Sequence, residues 1–304
     1  MEKINTEAAF QGSVRFNEPM ASHTTFHVGG PADVWVRPEG SSFPGYAARL
    51  LQTAWEEGVP VFILGGGANL VVSDRGIRGI VLDTTGWSGW QIDEASVFFY
   101  AGTSVDKATE VCADHDRAGL AFLAGMPGSI GGAIWMNARC YNVSISDVLM
   151  ETWILNEQFE EEWVPFRQED FDYKISPFQH RPVLILGGRF KTTPKDRQSL
   201  IEEMQQYRND REAKGHYTLP SAGSAFKNNH AFGKPTGKII DELGLRGLSQ
   251  GGAKVADWHG NIIVNTGTAT ARDIYVLTEI IKKRVKEALG YELDCEILFV
   301  GDWS

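Results

Sequence analysis

Two stretches offer backbone rather than side chains as their chemistry: Gly65-Gly66-Gly67-Ala68-Asn69 and Gly125-Met126-Pro127-Gly128-Ser129-Ile130-Gly131-Gly132. Glycine brings no Cβ, so consecutive N–H groups can turn inward into a concave nest around an anion such as a pyrophosphate. The same glycines serve as well in a tight turn that needs positive φ. A third stretch, Ser221-Ala222-Gly223-Ser224-Ala225-Phe226-Lys227-Asn228-Asn229, presents a hydroxyl at Ser224, an ammonium at Lys227 and an amide at Asn228. Glu296 lies in an apolar run over residues 294–300, an unusual place for a carboxylate. Each of these side chains has a structural alternative. Ser224 fits a turn, Lys227 and Lys174 fit a charged surface, His259 fits a turn or a hydrogen-bonded core, and Glu296 fits the solvated face of an alternating strand.

The elements around them narrow the choice. Val61-Phe62-Ile63-Leu64 precedes the first glycine stretch, and Leu70-Val71-Val72-Ser73 and Ile80-Val81-Leu82 follow it; all are short and β-branched enough to be strands. The glycines therefore join strand to strand. A Rossmann fingerprint would open a helix and carry a third glycine where Leu70 stands, and a P-loop would end in Gly-Lys-Ser/Thr. The second stretch leads into Ala133-Ile134-Trp135-Met136-Asn137-Ala138, also without a helix-opening fingerprint, and its small residues allow a flat ligand or a neighbouring element to come close. The two stretches together favour a large planar dinucleotide, with FAD a better fit than NAD.

The remaining pattern predicts a helix over 46–57, a strand over 97–101, and a helix capped by Ser104 with Val105, Ala108, Val111 and Cys112 on one face. Strands follow near 152–155 and 183–186, then a charged helix over 199–214 with little apolar surface, which serves as a connector. A helix begins near Pro235, and a long one over 270–289 places Ile274, Leu277, Ile281, Val285 and Ala288 on one face before Gly290 stops it.

With 304 residues, 42% of them hydrophobic, the chain can bury a substantial core in two or three lobes. A net charge of -10 argues against nucleic acid or an anionic membrane as partner, since both reward clustered positive charge. No apolar run approaches the roughly 20 residues that cross a bilayer, and Met1-Glu2-Lys3-Ile4-Asn5 lacks a signal-peptide hydrophobic region, so a cytoplasmic location is expected. Cys112, Cys140 and Cys295 are widely spaced without a C-x-x-C pair, which leaves neither a disulfide framework nor a metal site. A packed small residue explains Cys140 better than a nucleophile, although Arg139 precedes it. No coiled-coil seam is visible, and a monomer is expected.

The order of motifs along the chain is more specific than any one of them. Thr24-Thr25-Phe26-His27-Val28-Gly29-Gly30-Pro31-Ala32-Asp33 and the two glycine stretches resemble the flavin-binding half of the UDP-N-acetylenolpyruvoylglucosamine reductase (MurB) family. The segments 222–228, 251–255, 263–267 with 269–271, and 296–301 resemble that family's substrate domain in the same order. The resemblance spans about residues 20 to 301. It implies an α+β protein: a two-subdomain FAD-binding domain of PCMH/VAO type over 1–198 (about 1–84 and 85–198), then a C-terminal α+β substrate-binding domain over 199–304.

The resemblance further implies reduction, with NADPH as co-substrate, of the enolpyruvyl ether of a UDP-sugar to UDP-N-acetylmuramate, a peptidoglycan precursor. Gly65, Gly66, Gly67, Ala68, Asn69, Gly125, Pro127, Gly128, Ser129 and Gly132 would bind FAD. Ser224 aligns with the family's proton donor and Glu296 with a glutamate that hydrogen-bonds the enol form of the substrate carboxylate, a role that calls for a buried, proton-sharing carboxyl. Tyr173, Lys227 and Asn228 would bind substrate. Negative charge builds on the substrate carboxylate during hydride addition, so a cation is needed there. The family reads Tyr-Arg-x-Ser where this chain has Tyr173-Lys174-Ile175-Ser176, and Lys174 supplies the charge without the arginine's planar fork. Arg139-Cys140 replaces small residues and Asn229 replaces a frequent proline; the short spacing from Tyr173 to Ser224 matches the family form without the extra substrate-covering loop. Another flavin oxidase or dehydrogenase of the same superfamily, or a flavin-binding homologue without catalysis, is the alternative.

Overall fold

The run Val61–Leu64 becomes a strand paired in parallel with Ile77–Asp83, Val61 opposite Ile80 and Leu64 opposite Asp83. This pairing belongs to a computed structural model that describes residues 11–304. The chain forms two compact units. One holds residues 11–16, Val34–Gly66 and Gly79–Asn209; the other holds Asn17–Asp33, Gly67–Arg78 and Asp210–Ser304.

A four-stranded sheet, most of whose residues belong to the first unit, runs in the order Gly12–Pro19, Pro31–Pro38, Ile77–Asp83, Val61–Leu64. A five-stranded antiparallel sheet runs Glu161–Pro165, Leu149–Leu155, Leu184–Lys191, Ser96–Tyr100, Trp90–Ile92. The helix Phe43–Glu56 starts three residues earlier than expected, because Pro44 suits a first turn and Phe43 is fully buried, stacked on Trp87 with ring centroids 5.2 Å apart. Its buried residues Phe43, Tyr46, Ala47, Leu50 and Ala54 repeat every three or four positions, as an amphipathic helix requires. The helix Val105–Asp114 has the expected cap, the Ser104 hydroxyl accepting from the Lys107 N–H at 3.2 Å. The helix Arg197–Ala213 is more than a connector: Leu200 and Met204 are buried against Ala113, Ala121 and Ala124. Leu200 and Met204, with the partly buried Ile201 and Tyr207 packed beside them, seat this helix although its average composition is polar.

The second unit is built on the helix Ala271–Leu289, which buries Ile274, Leu277, Ile281 and Val285 and ends at Gly290 with φ 72°. Ala288, expected on the same face, is exposed, as are all residues over 286–290. Thr270 and Asp273 form a capping box at the helix start. Asp74 adds a second cap, its carboxylate accepting from the Ala271 and Arg272 N–H groups at 2.8 and 2.9 Å. Antiparallel strands Ser249–Gln250, Ala253–Val255 and Ile263–Asn265 and the parallel pair Leu70–Val72 with Leu298–Val300 complete the unit. The final strand is shorter than the apolar run predicts: regular pairing covers Leu298–Val300, while 294–296 pairs with 225–227. Among the described residues no helix is long and apolar enough to cross a membrane.

Candidate functional site

The two glycine stretches meet within the first unit. The Ser129 hydroxyl accepts from the Gly66 N–H at 3.2 Å and from the Gly132 N–H at 3.4 Å, so one side chain ties residues 63 positions apart. At Gly66 the fit is backbone on backbone, since a Cβ there would sit 2.6 Å from the Gly128 Cα; at Gly65 a Cβ would sit 2.5 Å from the Ser129 Oγ, the hydroxyl that latches the two stretches. Glycine at Gly65 and Gly66 is therefore a packing requirement. The second stretch departs from expectation, because it opens the short helix Ile130–Trp135 with Ser129 as its N-cap. No fingerprint announces this helix; the cap and the burial of Ile130, Ala133 and Ile134 produce it. Gly125, with φ 75°, gives its N–H to the Asp106 carboxylate at 2.7 Å, so that donor is already engaged. Gly65, Gly66, Gly125 and Gly128 are half-buried while Pro127 and Gly132 are exposed. Neither stretch carries a charged side chain.

Lys174 sits at the tip of a tight turn in the same unit. Asp172 and Ile175 exchange backbone hydrogen bonds of 3.2 and 3.0 Å, and Lys174 is held at φ 60°, a conformation few non-glycine residues adopt. Strain of this kind persists only where the surroundings fix it. Here Gln179 Nε2 donates to the carbonyls of Lys174 and Trp135 at 3.0 and 2.8 Å, the fully buried Ser176 donates to Trp135 at 2.7 Å, and Asn137 Nδ2 donates to the Asp172 carbonyl at 2.9 Å. Trp135 ends the helix that the second glycine stretch begins, and its carbonyl would otherwise lack a partner. The turn bearing Tyr173 and Lys174, both half-buried, is thus bolted to the glycine stretch. Arg139 is exposed and donates to the Ser144 hydroxyl at 3.2 Å.

Ser224 and Glu296 are carried by neighbouring extended segments of the second unit. Ala225, next to Ser224, accepts the Glu296 N–H at 2.8 Å, and the Lys227 N–H donates to the Asp294 carbonyl at 2.9 Å. Asn261 holds the other edge: its carbonyl accepts from Ala225 at 2.8 Å, and its side-chain amide pairs with both backbone groups of Phe226, at 2.9 and 2.8 Å. Ala225 and Phe226 are buried and Ser224 is half-buried. Glu296 is only 8% exposed, which removes the solvated-face alternative for it. Asn69 brackets the same residue, its Nδ2 donating to the Glu296 carbonyl and its own carbonyl accepting from Leu298, both at 3.0 Å. Asn228 is exposed and its Oδ1 accepts from Thr236 at 2.9 Å, capping the helix Thr236–Glu242. Lys227 is half-buried.

His259 takes the turn alternative: its Nδ1 accepts from the Asn261 N–H at 3.1 Å, and burial lowers its pKa, so the neutral ring shapes the turn that presents Asn261. Asn261, Asn137 and Asp106 were not singled out by residue type. The only trace of their role is an asparagine or aspartate beside a glycine or at a helix start, a pattern shared with many plain turns. Among the described residues no group of histidine, cysteine or acidic side chains could hold a metal ion.

Residues 215–300 match the sequence model of the UDP-N-acetylenolpyruvoylglucosamine reductase C-terminal domain, and residues 45–157 match that of an FAD binding domain. UDP-N-acetylenolpyruvoylglucosamine reductase of Treponema denticola is 39% identical over 317 residues, covering 99% of this chain and 97% of the relative. The protein of that name from Bacillus subtilis is 35% identical, with 99% of each chain covered. The crystal structure of UDP-N-acetylenolpyruvylglucosamine reductase (MurB) from Thermus caldophilus superposes with a TM-score of 0.78 at 28% identity, over 96% of this chain and 100% of that one. Agreement along nearly the whole length, including the segments that carry Ser224 and Glu296, shows that the chain belongs to the UDP-N-acetylenolpyruvoylglucosamine reductase family.

Proposed function

We propose that this protein is an FAD-dependent reductase that uses NADPH to convert UDP-N-acetylglucosamine-enolpyruvate into UDP-N-acetylmuramate for peptidoglycan synthesis. One hydride and one proton add across the enolpyruvyl double bond, and NADPH leaves as NADP+. The observation that carries this reading is the buried Glu296, hydrogen-bonded through its backbone to the residue after Ser224.

FAD fits the residues present. The latched glycine stretches expose backbone without charged side chains, so a pyrophosphate can come close to the main chain of Gly65 to Asn69 and of Gly128 to Gly132, where the N–H groups of Gly66, Ile130, Gly131 and Gly132 are already engaged within the protein. FAD bound there supplies the hydride relay from NADPH to the substrate. Lys174 places a positive charge against the substrate carboxylate, where charge develops, and the bolted turn fixes the backbone from which that side chain extends. Ser224 gives the proton to the carbon beside the carboxylate, a centre far more basic than a hydroxyl. Glu296 hydrogen-bonds the enol form of that carboxylate. Tyr173, Lys227 and Asn228 bind the sugar nucleotide. In this reading FAD belongs to the block 1–198 and substrate to the block 199–304, and the enzyme works as a cytoplasmic monomer.

An absorbance spectrum of the purified protein followed by NADPH tests the proposal. A yellow protein that NADPH bleaches and only the enolpyruvyl sugar nucleotide recolours supports it. A colourless protein after reconstitution with FAD, or rapid recolouring by air alone, refutes it.

A further inference from the structure

We propose that Asn69 is a positioning residue for Glu296, a role beyond the cofactor contact expected of its stretch, and one that rests on the function of Glu296 given above. Asn69 follows the glycine triplet and belongs to the segment Gly67–Arg78 of the second unit, as does Glu296 in Asp210–Ser304. Its side-chain amide donates to the Glu296 carbonyl and its backbone carbonyl receives the Leu298 N–H, so one residue grips the backbone on both sides of Ile297. Ile297 is 1% exposed and Phe26, Val71 and Ala225 belong to the same core, which leaves the segment few ways to re-form after a slip.

The Glu296 N–H is committed to the Ala225 carbonyl, so both backbone polar groups of Glu296 are engaged. With the backbone pinned at three points, the carboxyl has a defined origin from which to meet the substrate. Removing the amide leaves a carbonyl in a nearly closed site without its donor, and the segment must move to find another. A displacement on the order of 1 Å in a catalytic group costs as much as 100-fold in rate. Asn69 thereby links the first glycine stretch to the extended segment that carries Glu296, through a side-chain contact that no glycine of that stretch could make.

The test compares Asn69→Ala and the isosteric Asn69→Asp with Glu296→Gln and the double variant Asn69→Ala/Glu296→Gln in the FAD-loaded enzyme. Asn69→Ala, assayed at saturating FAD, is expected to slow recolouring by the enolpyruvyl sugar nucleotide roughly 10- to 100-fold more than it slows bleaching by NADPH, and to add nothing in the Glu296→Gln background. Amide hydrogen exchange at Glu296 and Leu298, measured on the protein with and without FAD, is expected to rise in both Asn69 variants. An equal loss in bleaching and recolouring at saturating FAD, or full additivity with Glu296→Gln, overturns the positioning role. If Asn69→Ala does not fold, Asn69→Asp decides in the same way, since it keeps the shape and removes the donor. Unchanged recolouring in Glu296→Gln would instead refute the function given to Glu296, a result distinct from a silent Asn69.

Discussion

Gly66→Ala tests the seam between the two glycine stretches. The added Cβ would lie 2.6 Å from the Gly128 Cα, 2.7 Å from the Gly128 carbonyl carbon and 3.0 Å from the Ser129 N, all backbone atoms that cannot rotate away. Ordinary contact begins near 3.4 Å, so the stretches must part by about 0.8 Å, the difference of the two distances. Overpacking of this kind costs roughly 1–3 kcal/mol. It also lengthens the 3.2 Å bond from Gly66 to the Ser129 hydroxyl and displaces the donors proposed to face FAD. Loss of one such charge-assisted bond weakens FAD binding about 10- to 100-fold. Gly132→Ala is the matched control. Its Cβ meets nothing closer than the Ser129 Oγ at 3.5 Å, and alanine in the short helix gains up to about 1 kcal/mol over glycine. Urea unfolding of the apoprotein and FAD titration by fluorescence quenching separate the two effects. Gly66→Ala should lose both stability and FAD affinity, whereas Gly132→Ala should keep stability and lose affinity because its methyl group occupies the open face. A Gly66→Ala protein with unchanged midpoint refutes the seam; a Gly132→Ala protein with unchanged FAD affinity refutes the assignment of that face to the cofactor.

Lys174→Met should lower kcat by about 100-fold with a smaller change in KM, the sign of a charge that matters most where negative charge develops; unchanged turnover removes Lys174 from the site. Asp74→Ala removes two hydrogen bonds at the start of the helix Ala271–Leu289 and should destabilise the protein by about 1 kcal/mol in urea, while an unchanged midpoint would show that water and Asp273 cap the helix as well. Burial, helped by the nearby Arg211 and Lys214 charges, pushes His216 down to about 4. A histidine depressed in the folded state is protonated more readily unfolded, so its share of stability is complete above its ordinary value near 6.5 and is lost as pH falls from there through about 4. After discounting for partial exposure, on the order of 1 kcal/mol should disappear between pH 7 and 5 and be absent from the pH profile of His216→Gln; an identical profile in the variant refutes the assignment.

Much of the fold was legible because its signals are local. The long helix announces itself through Thr270, Asp273, Gly290 and the spacing of Ile274, Leu277, Ile281 and Val285, all of which act within a few residues of one another. The strands around Gly65 to Gly67 follow from short β-branched runs in the same way. The helix Ile130–Trp135 escaped because its sequence is glycine-rich and its stability comes from a serine cap and from three buried apolar residues. Leu200, Ile201, Met204 and Tyr207 are too few among polar neighbours to make a strong amphipathic pattern, yet they suffice when Ala113, Ala118, Ala121 and Ala124 receive them.

The amino-acid sequence alone determined which residue types are available for chemistry, their order along the chain, and the family pattern in which lysine stands at 174. Tertiary structure decided which of them share a purpose. Ser129 reaching Gly66, Asn137 reaching Asp172, and Asn69 and Ala225 gripping Glu296 join residues from 35 to 227 positions apart. Such pairs leave no periodic trace in composition, because a single hydrogen bond depends on where two backbones come to lie and not on what stands beside either partner in sequence.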